Sequence, residues 1–461
     1  MASNKNKQMS RYARLSYVWV HLLLLPGLAL GLTIRHFINA MLLLLVIWSI
    51  GYCLLRLLQR FVLHGNDPIF TNLGWPKLVY CIFLAFAAYA LYSFTLFLLS
   101  DDPDVQNKYE MYFILMIPLY VFFLHVRVHL AYICHALIFS SLAVGIHAAY
   151  QVFYLHYGRA FGAHYPIGFG DLALVLAILA LLILPHYSRL WQKLLCILAS
   201  MSAYMACFLS GSRGAWIAIP VLLLLIIWIY RRELRFSNPA WVQYKDAIWR
   251  KNMRYFWLPL LLLLVIGISI GISQKERISQ RWLEVHHELE LYKQNQIKPE
   301  SVILRLEMWR ISWHIFKEHP WFGAGYHSFQ QKTHEFYQEQ HAVMATMPDV
   351  TQRTILRFGN SHNQYMNDLS TKGLIGLLLL LSIFILPCFW FYRHTSNQNQ
   401  RVRTVAYCGI TVILAFTVFG LTETVFHRNF LIIYYLLFVT LCMALLQKFS
   451  SATKEMHMKP I

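Results

Sequence analysis

Apolar runs of about 20 residues, the length that spans a bilayer's hydrocarbon as a helix, recur along this chain and leave little else it can become. Twelve are legible: 16–33, 36–58, 78–99, 110–126, 129–153, 167–185, 190–210, 215–230, 255–273, 372–392, 404–421 and 430–448. Hydrophobic residues make up 58% of the 461 and charged residues only 13%. A water-soluble fold has no use for so much apolar surface. Backbone groups in lipid must pair within the segment, so the runs are predicted to be helices. The predicted fold is all-α and polytopic, with about 12 transmembrane helices. Lys5, Lys7, Arg11 and Arg14 precede the first run as in a signal peptide, but no small-residue cleavage site follows. We read it as a retained first helix.

Basic residues orient the bundle, because they concentrate on the cytoplasmic side. With a cytoplasmic N-terminus, the inside segments carry 23 of the 40 Lys+Arg and four acids, a surplus equal to the whole net charge of +19. The outside face balances. The strongly basic composition is thus a topology signal rather than a nucleic-acid signature, and both termini are expected in the cytoplasm. All eight cysteines fall in spans, so no disulfide framework is readable.

The expected organisation is helices one to nine in 1–273, an outside helical cap in 274–371, and helices ten to twelve with a tail in 372–461. A loop this long is usually functional or disordered, and this one is not low-complexity but reads as helices. Within it, 276–296 reads as amphipathic and Pro299 interrupts. Ser301 looks like the N-cap of a helix to about 318 with an apolar stripe of Ile303, Leu306, Trp309 and Trp313. Pro320 and Gly323-Ala324-Gly325 make a turn, and 326–343 reads as a third helical stretch. No charged residue lies near the centre of a run, which argues against an ion-coupled transporter. His327, His334 and His341 recur every seven residues, about 10 Å apart on a helix, which is too far for one zinc site. The acidic Asp101, Asp102 and Asp104 read as a solvated loop.

Three places hold candidate chemistry on the outside face. Ser210-Gly211-Ser212-Arg213-Gly214 joins two runs. Its glycines permit a tight turn, and exposed amides with an arginine suit an anion. An ordinary turn with a snorkelling arginine is an equal reading. Arg305 precedes Trp309 by four residues and shares its helix face. A solvated amphipathic helix also explains that pair. His362 follows Ser361, a plausible N-cap of the next descending helix. The dipole of a first turn disfavours a charged ring there, leaving a base that can accept a proton. Gly373 and Gly376 have close helix packing as their alternative reading. Arg159 and Arg428 are weaker outside candidates.

Three patterns resemble the O-antigen ligase family of bacterial inner-membrane glycosyltransferases. They are Ser210-Gly211-Ser212-Arg213-Gly214-Ala215-Trp216, then Arg305-x3-Trp309 leading to Pro320-x2-Gly323-x-Gly325-x3-Phe329, and His362-Asn363-x9-Gly373-x2-Gly376. The resemblance covers about 200–385. It implies an integral-membrane glycosyltransferase with a periplasmic cap, in the bacterial inner membrane. Such enzymes transfer polysaccharide from undecaprenyl diphosphate to a sugar hydroxyl of the lipid A core, with inversion and with neither cofactor nor metal. It further implies Arg213 and Arg305 on the diphosphate and His362 as base, with Asn363, Ser212, Gly211 and Trp309 in support. Donor, core acceptor and membrane lipids are the expected partners, and nucleic acid is not. O-antigen polymerases and protein O-oligosaccharyltransferases share much of the pattern, and an exporter without chemistry is a further class.

Overall fold

The computed structural model describes residues 15–63, 75–99, 106–236, 283, 290, 301–325, 328–339, 349–357 and 359–458, except 25, 29 and 127. Among these residues the secondary structure is helical throughout, and the chain is a polytopic helical membrane protein. Among the described residues nine helices are long and apolar enough to cross a membrane, and Leu15–Leu28 and Tyr109–His125 are shorter apolar helices. The expected run 255–273 lies outside the described residues, as do 276–296 apart from 283 and 290, His327, His341 and the Asp101, Asp102 and Asp104 loop.

The bundle is layered. Pro166–His186, Gln400–Phe419 and Asn429–Ser451 are almost wholly buried, as expected of helices apolar all round. The other helices surround them and turn residues such as Leu44, Ile47, Leu84, Phe139 and Ile146 outward. Those exposed faces belong to lipid.

The tenth span departs most from its expected form. Its helix runs from Gln364 to His394 rather than from 372, and it is broken at Gly373, where φ is 67° and ψ −164°. A break strands backbone groups on both sides, which is tolerated at membrane depth only where other protein groups satisfy them. The Pro320–Gly325 turn does so. Ala324 and Gly325 amides donate to the Ser370 and Thr371 carbonyls at 3.0 and 2.9 Å, and Leu374 and Ile375 amides donate to Pro320 and Trp321 carbonyls at 2.8 and 3.3 Å. The Tyr92 hydroxyl lies 3.0 Å from both the Phe322 and Lys372 carbonyls. A Cβ on Gly373 would lie 2.4 Å from the Trp321 carbonyl, and one on Gly323 2.3 Å from the Lys372 nitrogen. Two motifs distant in sequence are thus the two halves of one joint.

Just inside the joint the bundle buries charge. Lys372 Nζ lies 2.6 Å from Glu110 and 3.1 Å from Asp368, and all three side chains are fully buried. Tyr89 bridges them, bonding Asp368 at 2.6 Å and accepting from Lys372 at 2.7 Å. The sequence places Lys372 at the lip of a run; the fold draws it in, over Gly376, where a Cβ would strike its stem. At the opposite end Arg403 grips Glu233 through Nε and Nη2 at 2.7 and 2.8 Å.

The cap packs on the broken helix. Its main helix, Ser301–Glu318, begins and ends near the expected limits. Its buried stripe differs: Ile303, Met308, Ile311 and Ile315 face a cluster with Phe329, Phe336, Tyr337 and Ile355, whereas Trp313 is 50% exposed. The third stretch is helical over Ser328–Glu339, and Asp349–Ile355 adds a turn that the sequence does not signal.

Candidate active site

One end of the bundle gathers five segments: 155–165, 210–214, the cap helix, 360–363 and 420–428. The helix Leu190–Ser210 stops at Gly211, whose left-handed φ of 62° lets the chain reverse. Ser212 is buried; its hydroxyl donates to Asp171 at 2.8 Å and accepts from the Ala215 amide at 3.4 Å, starting the next helix. The Gly211 amide donates to Phe208 and the Ser212 amide to the Ser210 hydroxyl. The sequence reading of exposed amides as an anion cradle is therefore corrected at these two positions, because the turn uses both amides internally. Arg213 opens the helix Arg213–Phe236, and its side chain lies outside the described residues. Arg159 braces the turn, donating to the Ser210 and Gly211 carbonyls at 2.7 and 3.2 Å.

Gly214 sets this turn against the 420–428 loop: a Cβ there would fall 2.3 Å from Thr422 Oγ1. The same loop holds the histidine segment. Gln364 donates its amide to the Gly420 carbonyl at 2.7 Å, and the Phe426 amide donates to Gln364 Oε1 at 2.9 Å. The helix cap is Asn363 rather than Ser361. Its Oδ1 accepts from the Tyr365 and Met366 amides at 3.0 and 3.1 Å, while its Nδ2 donates to the Leu421 carbonyl at 3.1 Å. With Asn363 engaged in capping, its amide is not the group that orients the ring.

His362 thus precedes the helix, and the first-turn dipole argument does not apply to it. Its backbone is left-handed, φ 47°, a costly state for a residue with a side chain and one that concentrates at functional sites. The surroundings enforce it. The His362 amide donates to Asn360 Oδ1 at 3.0 Å, the Ser361 hydroxyl donates to the Asn363 carbonyl at 2.8 Å, and the cap's Trp309 indole donates to the Ser361 carbonyl at 3.1 Å. Arg305 is half-buried one turn before Trp309 on the same helix face.

Facing the ring is a residue that sequence reasoning passed over. Glu423 is 1% exposed, and its Oε1 lies 3.5 Å from His362 Nδ1. Burial pushes its carboxyl up, but His362, Arg428 and the Thr424 amide outweigh burial and hold it below the usual carboxylate range. An ionised carboxylate behind Nδ1 favours the tautomer with its hydrogen there and leaves Nε2 as acceptor. Behind Glu423, Arg428 lies 4.7 Å over the Tyr165 ring. Burial, then Glu423 and Asp171, push the Tyr165 phenol up, so it stays a donor. Burial, with Lys372 and Arg428, pushes His427 down to about 3, and this neutral ring pairs with Asn367 at 3.0 Å. Only the acid-then-basic loop Glu423–Arg428, between two apolar runs, hinted at these residues.

His362, Asn363, Gly211, Ser212 and Trp309 therefore converge, with Arg305 one turn away. Residues 194–381, which contain them all, match the family model described as O-Antigen ligase. An uncharacterized protein of Haemophilus influenzae is 26% identical over 349 residues, covering 74% of this chain and 80% of its own length. The matched segment is thus similar to the O-antigen ligase family, whose members are glycosyl-transferring ligases or polymerases.

Proposed function

We propose that this membrane protein of the O-antigen ligase family transfers a polysaccharide from undecaprenyl diphosphate to a sugar hydroxyl of the lipid A core, at the periplasmic face of the bacterial inner membrane. The observation that carries the reading is the His362–Glu423 pair, fixed where the arginine turn, the cap and the broken helix meet. The acceptor oxygen bonds to the anomeric carbon as that carbon's bond to the diphosphate oxygen breaks. Attack opposite the leaving group inverts the centre. The hydroxyl proton passes to His362 Nε2, and Glu423 stabilises the resulting imidazolium. The diphosphate departs as an anion against Arg213 and Arg305, whose planar forks match phosphate oxygens.

An apolar groove of about 630 Å³, with Val221, Leu224, Trp228, Ile385 and Phe389 among its walls, suits the prenyl tail. Its walls lie about 12–22 Å along the helix that Arg213 opens. The test supplies purified protein in nanodiscs with the lipid-linked donor and, separately, core lipid, a second lipid-linked glycan or a protein acceptor. Transfer to core lipid is expected. Transfer to either other acceptor alone would reassign the protein to polymerases or protein transferases. Failure to consume donor with any acceptor would remove glycosyl transfer itself.

A further inference from the structure

At the end of the bundle opposite His362, a cavity of about 500 Å³ opens where the helix Lys77–Leu98 begins and the broken helix ends. Lys77, Arg393, Asn397, Gln447 and Ser451 line it, and none of its lining residues is acidic. Both cations are exposed, and neither pairs with a carboxylate among the described residues. Arg393 sits 5.8 Å from the Phe389 ring centroid, which holds its guanidinium at the rim. Pro76, Lys77 and Leu78 bring the helix start into the wall, and that start has no side-chain capping bond. Its first amides carry the positive end of the helix dipole. Independently, Trp390 lines the same cavity at 5% exposure, and its indole nitrogen has no hydrogen-bond partner among the described residues. Indole N–H only donates. Two exposed cations, a helix start without a side-chain cap and a buried indole thus line one cavity. A single group with several anionic oxygens satisfies them together.

We propose that this cavity binds a phosphate ester, with Lys77 and Arg393 pairing its charge and Trp390 donating to one of its oxygens. The cavity lies at helix ends, level with lipid headgroups. Two sources share the chemistry: an anionic phospholipid and a soluble phosphate. The site lies at the other end of the bundle from His362, so its occupancy is measurable apart from transfer.

The experiment uses the full chain, purified in mixed micelles with equal phosphatidylglycerol and phosphatidylcholine, and measures retained lipid. Wild type should retain phosphatidylglycerol in preference. Lys77→Ala with Arg393→Ala should erase the preference, at about fivefold per cation. Arg189→Ala with Arg401→Ala removes equal charge from the same end and should preserve it. Trp390→Phe should weaken it partially. Unchanged glycosyl transfer in these variants would show that the fold is intact. Displacement of the lipid by glycerol 3-phosphate would support the site and add a soluble ligand; no displacement would restrict it to lipid. Equal retention of the two lipids, or equal loss in both double variants, would overturn the proposal.

Discussion

Gly323, Gly325, Gly359 and Gly373 make a graded test of the joint between cap turn and broken helix. Gly373 holds φ 67° and ψ −164°, a region essentially closed to other residues, so alanine costs about 1–3 kcal/mol in conformation alone. Its Cβ would also meet Trp321 backbone at 2.4 Å, and backbone cannot rotate away as a side chain can. Relieving that overlap separates the turn from the helix. Four backbone hydrogen bonds cross the joint, each contributing about 0.5–1.5 kcal/mol and more if left buried and unmade. Loss of half of them brings the total for Gly373→Ala to about 2–6 kcal/mol. Gly323→Ala, with φ 70° and a contact of 2.3 Å, should match it. Gly325 has φ 86° but open space around a Cβ, so only the conformational cost of about 1–2 kcal/mol applies. Gly359 has neither obstacle and should shift stability by less than about 0.5 kcal/mol. Apparent melting midpoints in one detergent at one scan rate rank the four, since heat unfolding of such proteins is usually irreversible. Protease cleavage in the cap turn should appear first in Gly323→Ala and Gly373→Ala. If those two melt alongside Gly325→Ala, the joint is not what holds the turn.

Arg213→Ala and Arg305→Ala should each lower transfer by about 10²–10³ with expression intact, and wild-type rates in either would remove that arginine from the diphosphate site. His362→Ala should cost about 10²–10⁴ while donor binding persists; Glu423→Gln should lower the rate less, again without loss of donor binding, and a Glu423→Gln enzyme at full rate would show that the carboxylate does not serve the ring. His427 is depressed to about 3 from a reference of 6.5, so its stability contribution is present above pH 6.5 and is lost as acid protonates the unfolded chain first. Between pH 6.5 and 5 the protein should lose about 1.6 kcal/mol from this ring, the slope rising toward about 1.4 kcal/mol per unit, and His427→Gln should flatten that slope; an unchanged slope would assign the loss elsewhere. For topology, cysteines replacing Ser450 and Gln338 should label from opposite sides of the membrane, Gln338 from the periplasm. Labelling of both from one side would reject the orientation.

The bundle was legible because lipid imposes a simple rule: a run of apolar residues long enough to cross must be a helix. The cap helix from Ser301 was legible for a similar reason, as its periodicity and bounding prolines are local signals. The break at Gly373 was not, because its cause lies about 50 residues away, in carbonyls and amides of the Pro320–Gly325 turn. Sequence displayed both glycine motifs without showing that each is shaped by the other. Burial of Lys372 followed the same logic: its partners Glu110 and Tyr89 come from distant helices. At the site, His362 stood out through its neighbours in sequence. Glu423 did not, because a lone acid in a short loop between apolar runs carries no periodicity, and only folding brings it within 3.5 Å of the ring. Asn363, expected from its motif in a supporting role, caps the helix, a use of its side chain that only the folded backbone reveals.

The half-helix 364–372 is anchored at both ends, by Gly420 and Leu421 at its start and by the cap turn at its finish. It therefore works as a ruler. The ten steps from Asn363 to Gly373 set a rise of about 15 Å and a fixed rotation between joint and histidine. Inserting one residue would swing the imidazole about 100° around the helix axis, away from Glu423, with every side chain of the motif still present. The count of residues in His362-Asn363-x9-Gly373 is then as much a determinant of chemistry as their identities. A deletion of one would fail for the same angular reason, whereas a compensating pair inside the half-helix would restore the aim.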